Sequence, residues 1–140
     1  MDLKLAENEK FLEKCISNAS KTVHFKLGPG LLDKVYEIAM QYELEKMNLT
    51  VRREVEVPIA YGDIQFLEGF KINLLIEKVV ICIVKAEDNH NKIWESQLLN
   101  YLRLMNLHLG FLINFNVDDW EEGFMKLRRD AMHGVSAMPD

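Results

Sequence analysis

Residues 79–84, Val-Val-Ile-Cys-Ile-Val, form a continuously apolar run that ends at Lys85. A strand of that kind is buried on both faces, so it belongs in the middle of a sheet rather than at an edge. The rest of the pattern fits around it. Phe11, Leu12, Cys15, Ile16, Ala19 and Val23 recur at spacings of three and four, one face of an amphipathic helix. That helix is expected to stop near His24–Lys26, because Gly28-Pro29-Gly30 cannot extend it. A second helix is expected from about Leu31 to about Met47, with Leu32, Val35, Tyr36, Ala39, Met40 and Leu44 on its apolar or aromatic face and Asn48 as a left-handed cap. The period then changes to 2. Val51, Val55, Val57 and Ile59 alternate with polar residues as in a half-buried strand. Tyr61-Gly62-Asp63 reads as a turn, 65–76 as a second strand, and 79–86 as a third after a tight connection at Glu77-Lys78. A helix over 93–105 separates the third strand from another buried strand over 109–115, which suggests a parallel pair and a mixed sheet. Residues 123–129 read as an edge strand and 131–140 as a loose tail. The expectation is an α/β fold in the order αα-βββ-α-ββ, a single domain over 1–130.

Composition narrows the function classes. A chain of 140 residues with 49% hydrophobic and 28% charged residues can bury one core but not two. Seventeen basic against 22 acidic residues leave a net charge of −5, which argues against coating nucleic acid by bulk electrostatics. No apolar stretch is long enough to cross a membrane, and the first ten residues alternate charges where a secretory signal needs an apolar run. Cys15 and Cys82 both lie in apolar segments and read as buried free thiols, which suits a reducing cytoplasm.

Several familiar chemistries find no support. Gly28-Pro29-Gly30 lacks the preceding strand and the Gly-Lys-Ser/Thr of a phosphate loop and reads as a helix–helix corner. His24, His90, His108 and His133 show no metal-ligand spacing, and no nucleophile elbow is present. Lys85 is the informative residue. It ends the most apolar strand, where a lysine must reach solvent, pair with an acid or face a polar cleft.

Five segments, taken in order, carry a resemblance. They are Leu27-Gly28-Pro29-Gly30-Leu31-Leu32-Asp33-Lys34-Val35-Tyr36-Glu37, Gly69-Phe70-Lys71-Ile72-Asn73-Leu74-Leu75, Val84-Lys85-Ala86, Gln97-Leu98-Leu99-Asn100-Tyr101-Leu102, and Leu109-Gly110-Phe111-Leu112-Ile113-Asn114-Phe115-Asn116. In these the chain resembles the small bacterial GxxExxY proteins, a branch of the PD-(D/E)xK nuclease superfamily. The resemblance implies a restriction-endonuclease-like core with a mixed sheet flanked by helices. In active members a strand-end acid and an acid two residues before a lysine hold Mg²⁺, often with a helical acid. The lysine stabilises charge or orients water, and a Gln-x-x-x-Tyr helix lies beside the site in the exonuclease branches. Hard Mg²⁺ favours carboxylate oxygens, so acids at those positions serve phosphodiester cleavage.

At the equivalent positions this chain has Asp33 for the helical Glu, Asn73 for the strand-end Asp and Ile83 for the Glu of the Glu-x-Lys pair, while Lys85, Gln97 and Tyr101 are retained. Two of three anionic ligands are absent. Glu37, Glu68, Glu87 and Asp88 lie near in sequence as substitutes, and Glu87 shares the strand parity of Lys85. No cofactor is expected, and Asp33 is the one residual metal candidate. The favoured expectation is a nuclease-fold protein that has lost phosphodiesterase activity and acts by binding nucleic acid or a protein. The alternatives are an active Mg²⁺-dependent nuclease with relocated acids and a purely structural or homo-oligomeric module. Arg52-Arg53, Lys126 and Arg128-Arg129 read as solvated basic clusters. Asp33 is expected to face the sheet and to pair with Lys85.

Overall fold

The computed structural model describes residues 3–129, so the tail expected over 131–140 lies outside the described residues. The first helix, α1 (Leu3–Leu27), is longer than its apolar stripe, and the second, α2 (Asp33–Lys46), begins two residues later than expected. The corner between them turns on Gly28 at φ +66° and Gly30 at φ +104°, values that a side chain would resist. Tyr36 closes this corner. Its hydroxyl donates to the Gly28 carbonyl at 2.6 Å and accepts from the Leu31 N–H at 3.1 Å, and its ring stacks on Phe115 with centroids 4.7 Å apart. Asn48, at φ +65°, takes the left-handed conformation expected after α2.

The strands are β1 (Val51–Glu56), β2 (Ile59–Tyr61), β3 (Ile64–Phe66), β4 (Lys71–Ile76), β5 (Val80–Lys85), β6 (Leu109–Asn114) and β7 (Phe124–Arg128). Helix α3 (Ile93–Met105) crosses from β5 to β6, and a single turn, α4 (Trp120–Gly123), precedes β7. The main sheet has five strands in the order β1-β4-β5-β6-β7. All neighbours are antiparallel except β5 and β6, which run parallel from Val80↔Leu109 to Lys85↔Asn114. The mixed α/β architecture expected from the pattern is the one observed, with β5 at its centre.

One region differs. The two long strands expected over 51–59 and 65–76 are each broken, and the pieces 59–61 and 64–66 pair with one another as a separate hairpin. Pro58 has no N–H to continue a ladder. Gly69 folds back through an N–H bond to the Leu67 carbonyl at 3.1 Å, ending the second run. Alternation of apolar residues continues through the first break at Val55, Val57, Ile59 and Tyr61, whereas Leu67-Glu68 interrupts it at the second.

The sheet is covered on both faces. Against one, α1 and α2 pack Ile16, Ala19, Tyr36, Met40 and Leu44 on Leu74, Cys82, Val84 and Phe111. Against the other, α3 packs Trp94, Leu98, Tyr101 and Leu102 on Ile72, Ile81, Ile83 and Leu112. Cys15 and Cys82 are both buried free thiols, and burial pushes the Cys82 thiol well up. Among the described residues no helix is long and apolar enough to cross a membrane.

Removing the Tyr36 hydroxyl leaves the Gly28 carbonyl and the Leu31 N–H without their shared partner. Tyr36→Phe is expected to cost about 1–2 kcal/mol in urea denaturation. An unchanged midpoint would mean that the hydroxyl does not hold the corner.

Candidate functional site

The alternation of side chains fails at one place in two adjacent strands. In β1, Val51 packs on the α1/α2 face but Val55 packs on the α3 face, although regular pleating would put them on the same side. In β4, Ile72 and Leu74 are likewise divided between the two faces. The ladder steps from Arg53↔Leu74 to Val55↔Ile72, and the intervening Glu54 takes a left-handed conformation at φ +55°. Asn73 sits opposite this residue by register. Glu54 and Asn73 therefore mark a local switch of faces, and it is here that polar side chains enter the interior.

At the switch, Glu37 of α2 is buried, its side chain only 2% exposed. Its Oε2 accepts from Arg53 Nε at 2.9 Å and lies 2.8 Å from Arg53 Nη2, while its Oε1 accepts from Asn73 Nδ2 at 2.9 Å. The Asn73 Oδ1 in turn accepts from the Val84 N–H at 2.8 Å. The pairing between β4 and β5 reaches Leu74↔Cys82, so this bond satisfies a donor just past the paired ladder. An amide can do both jobs because it carries a donor and an acceptor; a carboxylate has only acceptors. Lys34 bonds Glu54 and also lies 4.0 Å from Glu37. Burial raises the Glu37 carboxyl above its ordinary value, partly opposed by hydrogen bonds from Arg53 and Asn73 and reinforced by the adjacent Glu54. The hydrogen bond from Lys34 lowers Glu54, with burial opposing it.

The remaining motif positions lie elsewhere. Ile83 is on β5 beside β4, as expected, but its side chain is buried in the α3-side core, 3% exposed. Lys85, two residues on, holds its ammonium over the Trp94 ring, 5.4 Å from the centroid. Tyr101 packs against Phe70 with centroids 5.4 Å apart, and burial raises its hydroxyl pKa. Gln97 is half-buried one turn before Tyr101 on α3. Asp33 is exposed at the start of α2, its carboxylate accepting from the Lys34 N–H at 2.9 Å. The expected pairing of Lys85 with Asp33 does not form. Helix α2 packs on the sheet face opposite to that of Ile83, and Trp94 takes the ammonium instead.

Of the substitute acids, only Glu37 meets a motif position. Glu68 accepts from the Leu67 N–H, and Asp88 accepts from Asn116 Nδ2 at 2.8 Å. Glu87 is tied through its backbone to the Asn114 amide, at 3.1 and 2.9 Å. Lys126 and Arg128 lie exposed, as expected of solvated basic residues, but they carry partners within the chain. Besides Arg53, Lys126 pairs with Glu13, Arg128 with Glu9, and Arg129 bonds the Asn106 side chain beyond α3. Sequence reasoning missed Arg53. The available signal was Glu37, three residues before Met40 and seven before Leu44 on the apolar stripe of α2, where a carboxylate needs a cationic or donating partner.

The residues do not fit the Mg²⁺ that nucleases of this fold use. Both Glu37 oxygens are engaged by Arg53 and Asn73, the Asn73 oxygen is held by Val84 N–H, and Ile83 has no ligand atom. Among the described residues no group of three or more His, Cys, Asp and Glu side chains could hold a metal ion.

Two measurements probe this network. Side-chain carboxyl titration by NMR is expected to place Glu37 above 4.5 and Glu54 below it. Glu37 therefore withdraws stability as pH rises from 4.5 through its raised native value, whereas Glu54 adds stability that is lost as pH falls through its lowered one. The reverse order would contradict the geometry. Asn73→Asp sets a second acid against Glu37 and is expected to destabilise the fold by about 1–3 kcal/mol at pH 7. Like charge raises the new carboxyl, so that penalty should shrink on acidification.

The chain matches the family model of the PD-(D/E)XK nuclease superfamily over residues 10–127. No curated relative and no solved structure matches it. The matched span runs from α1 to β7 and takes in the whole five-stranded sheet with the switch at Asn73. This chain belongs to the PD-(D/E)XK nuclease superfamily.

Proposed function

We propose that this chain is a member of the GxxExxY branch whose motif is degenerate, that it has lost metal-dependent phosphodiesterase activity, and that it works by binding. One observation carries the reading: the Glu37 carboxylate is saturated by the Arg53 guanidinium and the Asn73 amide. A nuclease site of this fold concentrates negative charge so that a divalent ion can polarise the phosphate and activate water. Here the buried acid is neutralised internally, a neutral amide stands where the strand-end acid belongs, and Ile83 fills the next ligand position with hydrocarbon. Lys85 over Trp94 is a packed cation rather than a member of a charged cluster.

The partner is better sought among proteins than nucleic acids. The net charge is −5, and Arg53, Lys126 and Arg128 are each engaged with an acid of the same chain. A phosphate backbone would have to compete with those pairs.

Calorimetric titration with Mg²⁺ and Mn²⁺, run beside cleavage assays on single- and double-stranded DNA and on RNA, tests the proposal. The expected result is no binding at millimolar ion and no cleavage. Because Ile83 lies on the opposite face of the sheet from Asn73 and Glu37, Asn73→Asp combined with Ile83→Glu is expected not to rebuild a metal site. Metal-dependent cleavage by the unaltered protein, lost in Lys85→Ala, would establish a working nuclease with relocated ligands.

A further inference from the structure

Helix α2 buries Tyr36, Met40 and Leu44 against the sheet yet carries a second apolar stripe that faces away. Val35, Ile38 and Tyr42 follow one another at spacings of three and four and are 40%, 52% and 62% exposed. Leu31 and Leu32 extend the stripe past the start of the helix, 42% and 76% exposed. Each of these five apolar or aromatic residues is at least 40% exposed, and an exposed strip of this kind marks an interaction surface. The nuclease reading does not use this face.

We infer that this stripe is the centre of a two-fold symmetric contact with a second copy of the chain, α2 packing antiparallel on α2. Two observations point to a second copy rather than an unrelated partner. The first is area. A stable pairing removes about 800 Å² from each partner, with a more apolar centre and a polar rim. The stripe supplies that centre, and its flanking polar residues supply the rim. The second is charge placed for self-complementarity. Lys34 and Glu45 stand eleven positions apart on the same flank of the stripe, at opposite ends of the helix. When two such helices run antiparallel with Ile38 near the dyad, Val35 of one faces Tyr42 of the other, and Lys34 of one meets Glu45 of the other at both ends. Lys34 is 57% exposed though bonded to Glu54, and exposed Glu45 accepts from Gln41, so the cross-contact shares those groups rather than meeting free ones. A contact in which residue i meets j and j meets i is the signature of an isologous dimer.

Sedimentation equilibrium of the full chain at micromolar concentration is expected to give a dimer, and Ile38→Glu a monomer with an unchanged circular dichroism spectrum. Because Ile38 lies near the dyad, Ile38→Cys is expected to form an intermolecular disulfide on mild oxidation. Ile64→Cys, equally exposed on the β2–β3 hairpin, is expected not to. The native thiols at Cys15 and Cys82 are buried and do not compete. A monomeric wild-type chain would overturn the inference. So would a dimer that survives Ile38→Glu, since its contact would lie on another face. Neither outcome bears on metal binding at Glu37, so failure here is distinguishable from failure of the functional reading.

Discussion

The buried carboxylate of Glu37 is the constraint around which this end of the sheet is arranged. An unpartnered charge removed from water costs several kcal/mol, and breaking a buried pair by deleting one partner commonly costs about 3–5 kcal/mol. The chain meets that cost with Arg53, whose Nε and Nη2 both meet Oε2, and with the Asn73 amide on Oε1. Both donors come from neighbouring strands, and they reach the acid because β1 and β4 switch faces together at Glu54 and Asn73. A left-handed glutamate in a strand is a strained choice, sustained only where its surroundings over-determine it. Here the surroundings are Lys34 on its carboxylate and paired residues on either side.

The same arrangement is what the proposed loss of nuclease activity rests on. With acids at both strand positions, like charges a few ångströms apart would be tolerable only around a cation. This chain supplies its cation from within, as the Arg53 guanidinium, and the neighbouring Asn73 amide also satisfies the Val84 N–H. Charge is balanced with no exchangeable ion. On the opposite face, Ile83 joins the α3 core and Lys85 lies on Trp94, so these two side chains do not converge with Asn73 on one point.

Much of this was legible in the sequence and some was not. The buried strand ending at Lys85, the parallel pair flanking α3, the Gly28-Pro29-Gly30 corner and the left-handed Asn48 follow from local rules of periodicity and turn chemistry. That Asn73 and Ile83 carry no carboxylate is plain from the sequence. The break at 57–70 was missed because apolar residues flank it on both sides and only Pro58, Leu67-Glu68 and Gly69 mark it. Arg53 was hidden for a different reason. Two adjacent arginines on a strand look solvated unless the face switch at Glu54 is known, and nothing local announces a switch that depends on the neighbouring strand. The expected Lys85–Asp33 pair failed for the same cause: which face α2 covers is set by packing across the sheet, not by spacing along the chain.

The central claim is that the Asn73 amide and the Arg53 guanidinium occupy the coordination space of Glu37. The most direct measurement is NMR of the Asn73 side-chain NH₂ and the Arg53 Nε–H during titration with Mn²⁺, whose paramagnetism broadens any nucleus within several ångströms of a bound ion. The account predicts that both signals stay sharp and unshifted at millimolar Mn²⁺, with broadening confined to exposed surface acids. Selective loss of the Asn73 and Arg53 signals at low Mn²⁺ would mean that an ion displaces them from Glu37, and would contradict it.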